Sequence, residues 1–165
     1  MICPNCKAQM QKSEISHSCK ICGLSLPFVY RGRRISEKEF EELAASGKTP
    51  WTDDYKKKDL NGTLCGRLVL SGNSLSFEAK TLSAKCPKCK SAVLKDKNKW
   101  RCSACDFSLN ETLFGRKFSQ EEIEKLVFHG HSYSFDNFVS SSTRKIFTGF
   151  VSIEEFFEVK MNFQD

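Results

Sequence analysis

Apolar residues alternate with polar ones at Leu24, Leu26, Phe28 and Tyr30, the period of a strand with one buried face. The period then lengthens. Phe40, Leu43 and Ala44 follow Ser36-x-x-Glu39 at i, i+3, i+4 spacing. That pattern predicts a helix opened by a capping box and buried along one stripe. Gly47 stands where a left-handed helix stop is needed. A variable loop is expected next, then strands over 64–70 and 77–79. The same signals return in the same order further on. Ser119-x-x-Glu122 opens a second helix, Ile123, Leu126 and Val127 form its stripe, and Gly130 stops it. Strands are then expected over 147–153 and 156–161.

This recurrence has a fixed register. A shift of 83 residues carries Pro4 onto Pro87, Leu26 onto Leu109, Gly32-Arg33 onto Gly115-Arg116, Asp53 onto Asp136 and Gly66 onto Gly149. Two tandem units are therefore predicted, over 1–82 and 84–165. Each reads as a β-hairpin ribbon, a strand, one helix and a further hairpin, with the helix covering one face of a small antiparallel sheet. The fold class is α+β. Units of this size bury little core, so a metal or mutual packing should help hold them.

The metal is suggested by the cysteines. Eight of nine fall into C-x-x-C pairs: Cys3/Cys6, Cys19/Cys22, Cys86/Cys89 and Cys102/Cys105. The spacing C-x2-C-x12-C-x2-C thus occurs twice in the same register. A C-x-x-C turn aims two sulfurs at one point, and a twelve-residue hairpin can bring a second such turn beside it. Four thiolates in a tetrahedron suit structural Zn2+ and leave no position for water or substrate, so two zinc ions are expected. An iron site of the rubredoxin type has similar ligands and stays open. A thioredoxin-like redox pair needs a βαβ frame, which the pattern lacks. Cys65 is left over, within a strand pattern, and reads as a buried inert thiol.

Charge adds less than it first suggests. The formal net charge is +6, but each four-thiolate zinc site carries a net −2, and two of them bring the total to +2. A polyanion partner must therefore be argued from where the cations sit. With 39% hydrophobic and 28% charged residues the chain reads as globular. It has no apolar run of membrane-spanning length, and Met1-Ile2-Cys3-Pro4 opens no apolar signal segment. A cytoplasmic location, where thiols stay reduced, is expected.

Taken together, the cysteine turns, Gly-Arg-x-x-Ser-x-x-Glu, the helix with Leu before a Gly turn, the basic loop and the Leu/Phe-x-Gly-x-Leu/Val strand resemble a known repeat. It is the zinc-ribbon repeat at the C-termini of type IA DNA topoisomerases, particularly the topoisomerase III-like enzymes. Cys3, Cys6, Cys19, Cys22, Gly32, Ser36, Leu43, Gly47, Leu64, Gly66 and Leu68 carry it, with Gly115, Ser119, Leu126, Gly130, Phe147, Gly149 and Val151 as twins. The resemblance implies a non-catalytic module that binds single-stranded DNA or a partner protein. The catalytic core of that family has no counterpart here, so no enzyme activity is expected. A free-standing accessory protein and a C-terminal piece of a larger enzyme both fit.

Single strands are held by cations along the phosphates and by aromatic faces under the bases. The second hairpin offers both, in Lys95, Lys97, Lys99, Trp100 and Arg101. Read as one strand, the three lysines and Arg101 share a face opposite Trp100. Trp100 either stacks on a base or packs within the ribbon. The first copy places its cations elsewhere, at Arg31, Arg33 and Arg34 and in the run Tyr55-Lys56-Lys57-Lys58. The run has a plainer reading as a solvated loop, and Arg33 and Arg116 have one as partners of acids in their own unit. The competing function is protein docking, on a topoisomerase core, RNA polymerase or another host nucleic-acid enzyme, with a mobile-element or phage protein that blocks a host enzyme in this way as one variant. It rests on Phe114, Phe135, Phe138, Phe150, Phe156, Phe157 and Phe163, more phenylalanine than a small core obviously needs.

Overall fold

The computed structural model describes residues 1–57 and 62–163. The chain divides into two compact units, Met1–Lys80 and Thr81–Asp165. The boundary falls just before the predicted one because Leu82 and Ala84 are buried in the second core.

Unit 1 contains β1 (Gln11–Lys12), β2 (Ser16–Ser18), β3 (Ser25–Pro27), β4 (Val29–Tyr30), β5 (Arg33–Arg34), α1 (Glu37–Ser46), β6 (Thr52–Lys56), β7 (Thr63–Ser71) and β8 (Ser74–Ala79). Unit 2 repeats the order with β9 (Val93–Asp96), β10 (Lys99–Cys102), β11 (Ser108–Asn110), β12 (Thr112–Leu113), β13 (Arg116–Lys117), α2 (Gln120–His129), β14 (Phe135–Val139), β15 (Ile146–Ile153) and β16 (Val159–Phe163). In each unit the strands pair antiparallel as a triplet, a pair and a second triplet, in sequence order. The class is α+β.

Both helices are built as their end signals dictate. Ser36 and Ser119 accept from the Glu39 and Glu122 backbone N–H groups, and those glutamates reach back to the cap residues' own N–H groups. Gly47 and Gly130 take φ of 73° and 79°, and their N–H groups bond Leu43 and Leu126 carbonyls. The α1 stripe, Phe40 and Leu43, lies in one core with Leu24, Leu26, Tyr55 and Leu68. Ile123, Leu126 and Val127 lie in another with Trp100, Leu109, Phe118, Phe138 and Val151. Burial of these side chains supplies each unit's main stabilisation, roughly 1.5–3 kcal/mol per large apolar group.

Three expectations change. The loop after each helix contains a strand, β6 or β14, whose sequences Thr-Asp-Asp-Tyr-Lys and Phe-Asp-Asn-Phe-Val carry only one fully buried residue each. An outer strand of that kind leaves little period to read. The alternation from Leu24 to Tyr30 is split between β3 and β4, with Phe28 between them. The last strand begins at Val159 rather than at 156, because Glu155–Phe157 forms a short 3-10 turn with Phe157 at φ 62°.

Candidate metal centres and nucleic-acid interface

Each group of four cysteines converges at the base of its first hairpin. The turns at Cys3 and Cys86 are closed by two backbone bonds each. Cys3 N–H donates to the Ala8 carbonyl and Lys7 N–H to the Cys3 carbonyl; Cys86 and Ser91, and Lys90 and Cys86, repeat this. Lys7 and Lys90 both adopt left-handed φ, 61° and 62°, which tightens the turn. The Sγ separations are 3.5 Å for Cys3–Cys22 and 3.3 Å for Cys6–Cys19. In unit 2 they are 3.6 Å for Cys86–Cys105 and 3.3 Å for Cys89–Cys102. All four sulfurs of a group lie within 4.8 Å of one another. A zinc ion with Zn–S bonds near 2.3 Å needs tetrahedral edges of about 3.8 Å, so each group fits one zinc ion.

The protons on these sulfurs are unevenly held. The Cys22 backbone N–H, aided by Cys6, brings the Cys19 thiol down to about 6. The Ser91 side chain and N–H do the same for Cys89, also to about 6. Thiolate is thus available near neutral pH in both groups. Cys3, Cys19 and Cys86 are buried and tie the metal centres to the cores. Cys65 is likewise buried, within β7.

The second hairpin does not present the face read from the sequence. Its chain reverses at Lys97 and Asn98, with Lys97 at φ 53°, and Asp96 pairs across to Lys99. Lys95 therefore lies directly opposite Trp100 and shares its inward face. Alternation counts side chains along one strand only, and the turn resets it. Trp100 is 0% exposed, so the packing reading describes it, and the expectation that it stacks on a base is corrected. Lys95 is buried, pairs with Glu111 and holds its ammonium 5.1 Å from the Trp100 ring centre. Lys97 and Arg101 are exposed and Lys99 half-buried; Arg101 reaches Asp96 at 3.4 Å.

The first unit's candidates also separate into inner and outer groups. Arg33 pairs with Glu39 at 2.8 Å and Asp54 at 2.5 Å and lies over the ring of Tyr55. Tyr55 is fully buried, so neither residue offers a free face to a nucleic acid. Arg116 repeats this with Glu122 at 2.6 Å and Asn137 at 2.8 Å, stacked 3.7 Å from the Phe135 ring centre. The outer group remains at the surface. Arg31 covers the Phe77 ring at 4.4 Å, and Arg34 and Lys56 are exposed. The backbone N–H of Lys56 donates to the Arg31 carbonyl, which joins these two cations, and Lys57 follows half-buried. Lys58 lies outside the described residues.

The phenylalanines divide too. Phe138 is buried, while Phe135, Phe147 and Phe157 pack partly buried against the second core. Phe114 and Phe163 stay 40% and 68% exposed. Two other aromatics, Trp51 and Tyr133, carry no periodic signal in the sequence, because each falls between a helix stop and the next strand. Both stand at the surface, 37% and 64% exposed. A large aromatic just past a helix stop was the available signal.

The class these features define is an α+β chain with two closed four-cysteine centres that each suit a structural zinc. Among known proteins, the chain is similar to DNA topoisomerase 1 of Bacillus anthracis, 25% identical over an alignment 158 positions long that takes in 88% of this chain and 18% of that protein. It thus spans less than a fifth of the relative's length. No family model matches the chain, and no solved structure does. The similarity agrees with the topoisomerase resemblance carried by the repeated motifs. No helix among the described residues is long and apolar enough to cross a membrane.

Proposed function

We propose that the chain is a non-catalytic pair of zinc-ribbon repeats that binds single-stranded DNA, as part of or beside a type IA topoisomerase in the cytoplasm. The similarity to a DNA topoisomerase over 88% of the chain is the observation that carries this reading. The closed sulfur shells support a structural role for the metal, since they leave no position for a substrate. Capture rests on the surface cations Arg31, Arg34, Lys56 and Lys57 in unit 1 and Lys97, Lys99 and Arg101 in unit 2. Trp100, Tyr55, Lys95 and Arg33 serve the fold beneath them.

Fluorescence anisotropy with a labelled single strand, compared with duplex DNA and RNA, tests the reading. Affinity should fall steeply with salt, by a log–log slope near −0.7 for each phosphate neutralised. Binding that does not change between low and moderate salt would sink electrostatic capture. A second reading, docking on a topoisomerase core or RNA polymerase, is favoured by a groove of about 810 Å³ in unit 2 lined by Phe114, Phe147, Met161 and Phe163. Absence of any single-strand binding at low salt selects that reading.

A further inference from the structure

The segment between helix and third sheet is pinned in the same way in both units. In unit 1, the Thr49 N–H donates to the Leu68 carbonyl, and Thr49 Oγ1 accepts from the Leu68 N–H at 2.9 Å. Lys48 also bridges Val69. In unit 2, Ser132 N–H donates to the Val151 carbonyl and Ser132 Oγ accepts from Val151 N–H at 2.8 Å, while His131 bridges Ser152. Thr49 and Ser132 are twins in the 83-residue register. The backbone that follows is thereby held against the long central strand, β7 or β15.

What each pinned segment holds out is an aromatic ring beside cations. Trp51 comes two residues after Thr49 and is 37% exposed. The Arg67 guanidinium lies 4.4 Å from its ring centre and the Lys80 ammonium 5.7 Å away. Arg67 is itself fixed by Glu78, with bonds of 2.9 Å and 3.2 Å to the two carboxylate oxygens. Tyr133 comes one residue after Ser132 and is 64% exposed, with the Lys125 ammonium 5.3 Å from its ring centre. The rings sit at neighbouring rather than identical register positions, Pro50 being the twin of Tyr133 and Ser134 that of Trp51. Sequence comparison of the copies therefore hides the likeness.

A ring on a rigid backbone, open to solvent and flanked by cations, matches what an unpaired nucleotide offers: a flat base to stack and a phosphate to neutralise. We infer that Trp51 in unit 1 and Tyr133 in unit 2 are seats for unpaired bases of a single strand, with Lys80 and Lys125 taking adjacent phosphates while Arg67, held by Glu78, braces the Trp51 ring. The inference rests on the single-strand reading above and replaces the stacking role expected of Trp100. Because stacking does not read base identity, the seats accept any sequence.

The test uses the zinc-loaded full chain and a labelled oligo-dT. Trp51→Ala and Tyr133→Ala should each weaken binding by about 5- to 150-fold, while Trp51→Phe, which keeps a ring, should lose much less. The slope of log affinity against log salt should stay unchanged in Trp51→Ala and become shallower in Lys80→Ala. Oligo-dT should also quench tryptophan fluorescence in the wild type and not in Trp51→Phe, since Trp100 is buried. Zinc content and melting temperature of each variant show that the fold survives. Wild-type affinity in both alanine variants, with no quenching, overturns the seats and leaves single-strand binding standing. A wild-type chain that binds no oligo-dT at low salt removes both.

Discussion

His17 and Trp100 occupy the same position in the 83-residue register, and both are buried, yet they fill their units differently. In unit 1 the small ring of His17 meets Phe28 at 4.9 Å and Phe40 at 5.3 Å, edge to face. Lys12 holds its ammonium 5.7 Å from the Phe28 ring. In unit 2 the twin of Phe28 is Glu111 and the twin of Lys12 is Lys95, so the cation finds a carboxylate as well as a ring, that of Trp100. The large ring has moved one strand across, to Trp100, and Ile123 takes the place of Phe40. One volume is thus filled by two complementary residue sets. The cationic hairpin expected to form a nucleic-acid face in unit 2 is, at Lys95 and Trp100, this packing solution.

The largest way to break the comparison acts through the metals. Cys3→Ser and Cys86→Ser should each lower zinc content from two ions to one per chain and unfold only the unit that carries the change. Structural zinc contributes on the order of 10 kcal/mol in small modules, far more than the rest of one unit's margin. Metal analysis with NMR of the intact chain checks this. Loss of both sets of resonances from either variant would show that the two units share their stability.

A smaller effect tests the exchange of ring and charge. Trp100→His alone should destabilise unit 2 by about 2–4 kcal/mol, because it empties a filled site. Adding Glu111→Phe should return roughly 1 kcal/mol or more, by rebuilding the arrangement of unit 1. Urea unfolding of the zinc-loaded chain measures both. A double variant less stable than the single one ends the idea that the two sets are equivalent.

The smallest effect concerns the matched ion pairs. The Arg116 guanidinium holds the Glu122 carboxyl below its usual range, against burial, which pushes it up. For Glu39, burial pushes upward, and the Ser36 N–H and Arg33 together outweigh it. A carboxyl whose folded value is depressed stabilises the protein above its unfolded value, about 4.3, and that gain fades as pH falls through the folded one. Stability measured by urea at pH 6 and pH 4 should therefore drop by roughly a few tenths of a kcal/mol more in wild type than in Glu122→Gln or Glu39→Gln, since pH 4 lies only just below the unfolded value. An identical drop in all three proteins would place the acid sensitivity elsewhere.

Much of the fold was legible because its signals are local. The capping boxes at Ser36 and Ser119, the stops at Gly47 and Gly130, and the cysteine spacing each act within a few residues or through one short hairpin. Strands β6 and β14 were not legible, since their partners lie on the other side of a loop and only Tyr55 and Phe138 are fully buried in them. Arg33 reads from the sequence either as a phosphate ligand or, like Arg116, as the partner of an acid in its own unit; Glu39 and Glu122 make the second reading the right one, a distinction that charge in a sequence does not make.

The sequence by itself determined the metal ligands, the repeat and the helices, because covalent spacing limits which sulfurs and which helix ends can meet. Only the tertiary structure decided which cations and rings face solvent. Whether a lysine lies over Trp100 or beside solvent turns on a two-residue reversal at Lys97 and Asn98, and whether Trp51 and Tyr133 stand out turns on hydroxyls that pin their backbones to a distant strand. The hydroxyl contacts join residues 19 positions apart in the chain, where no local period reaches.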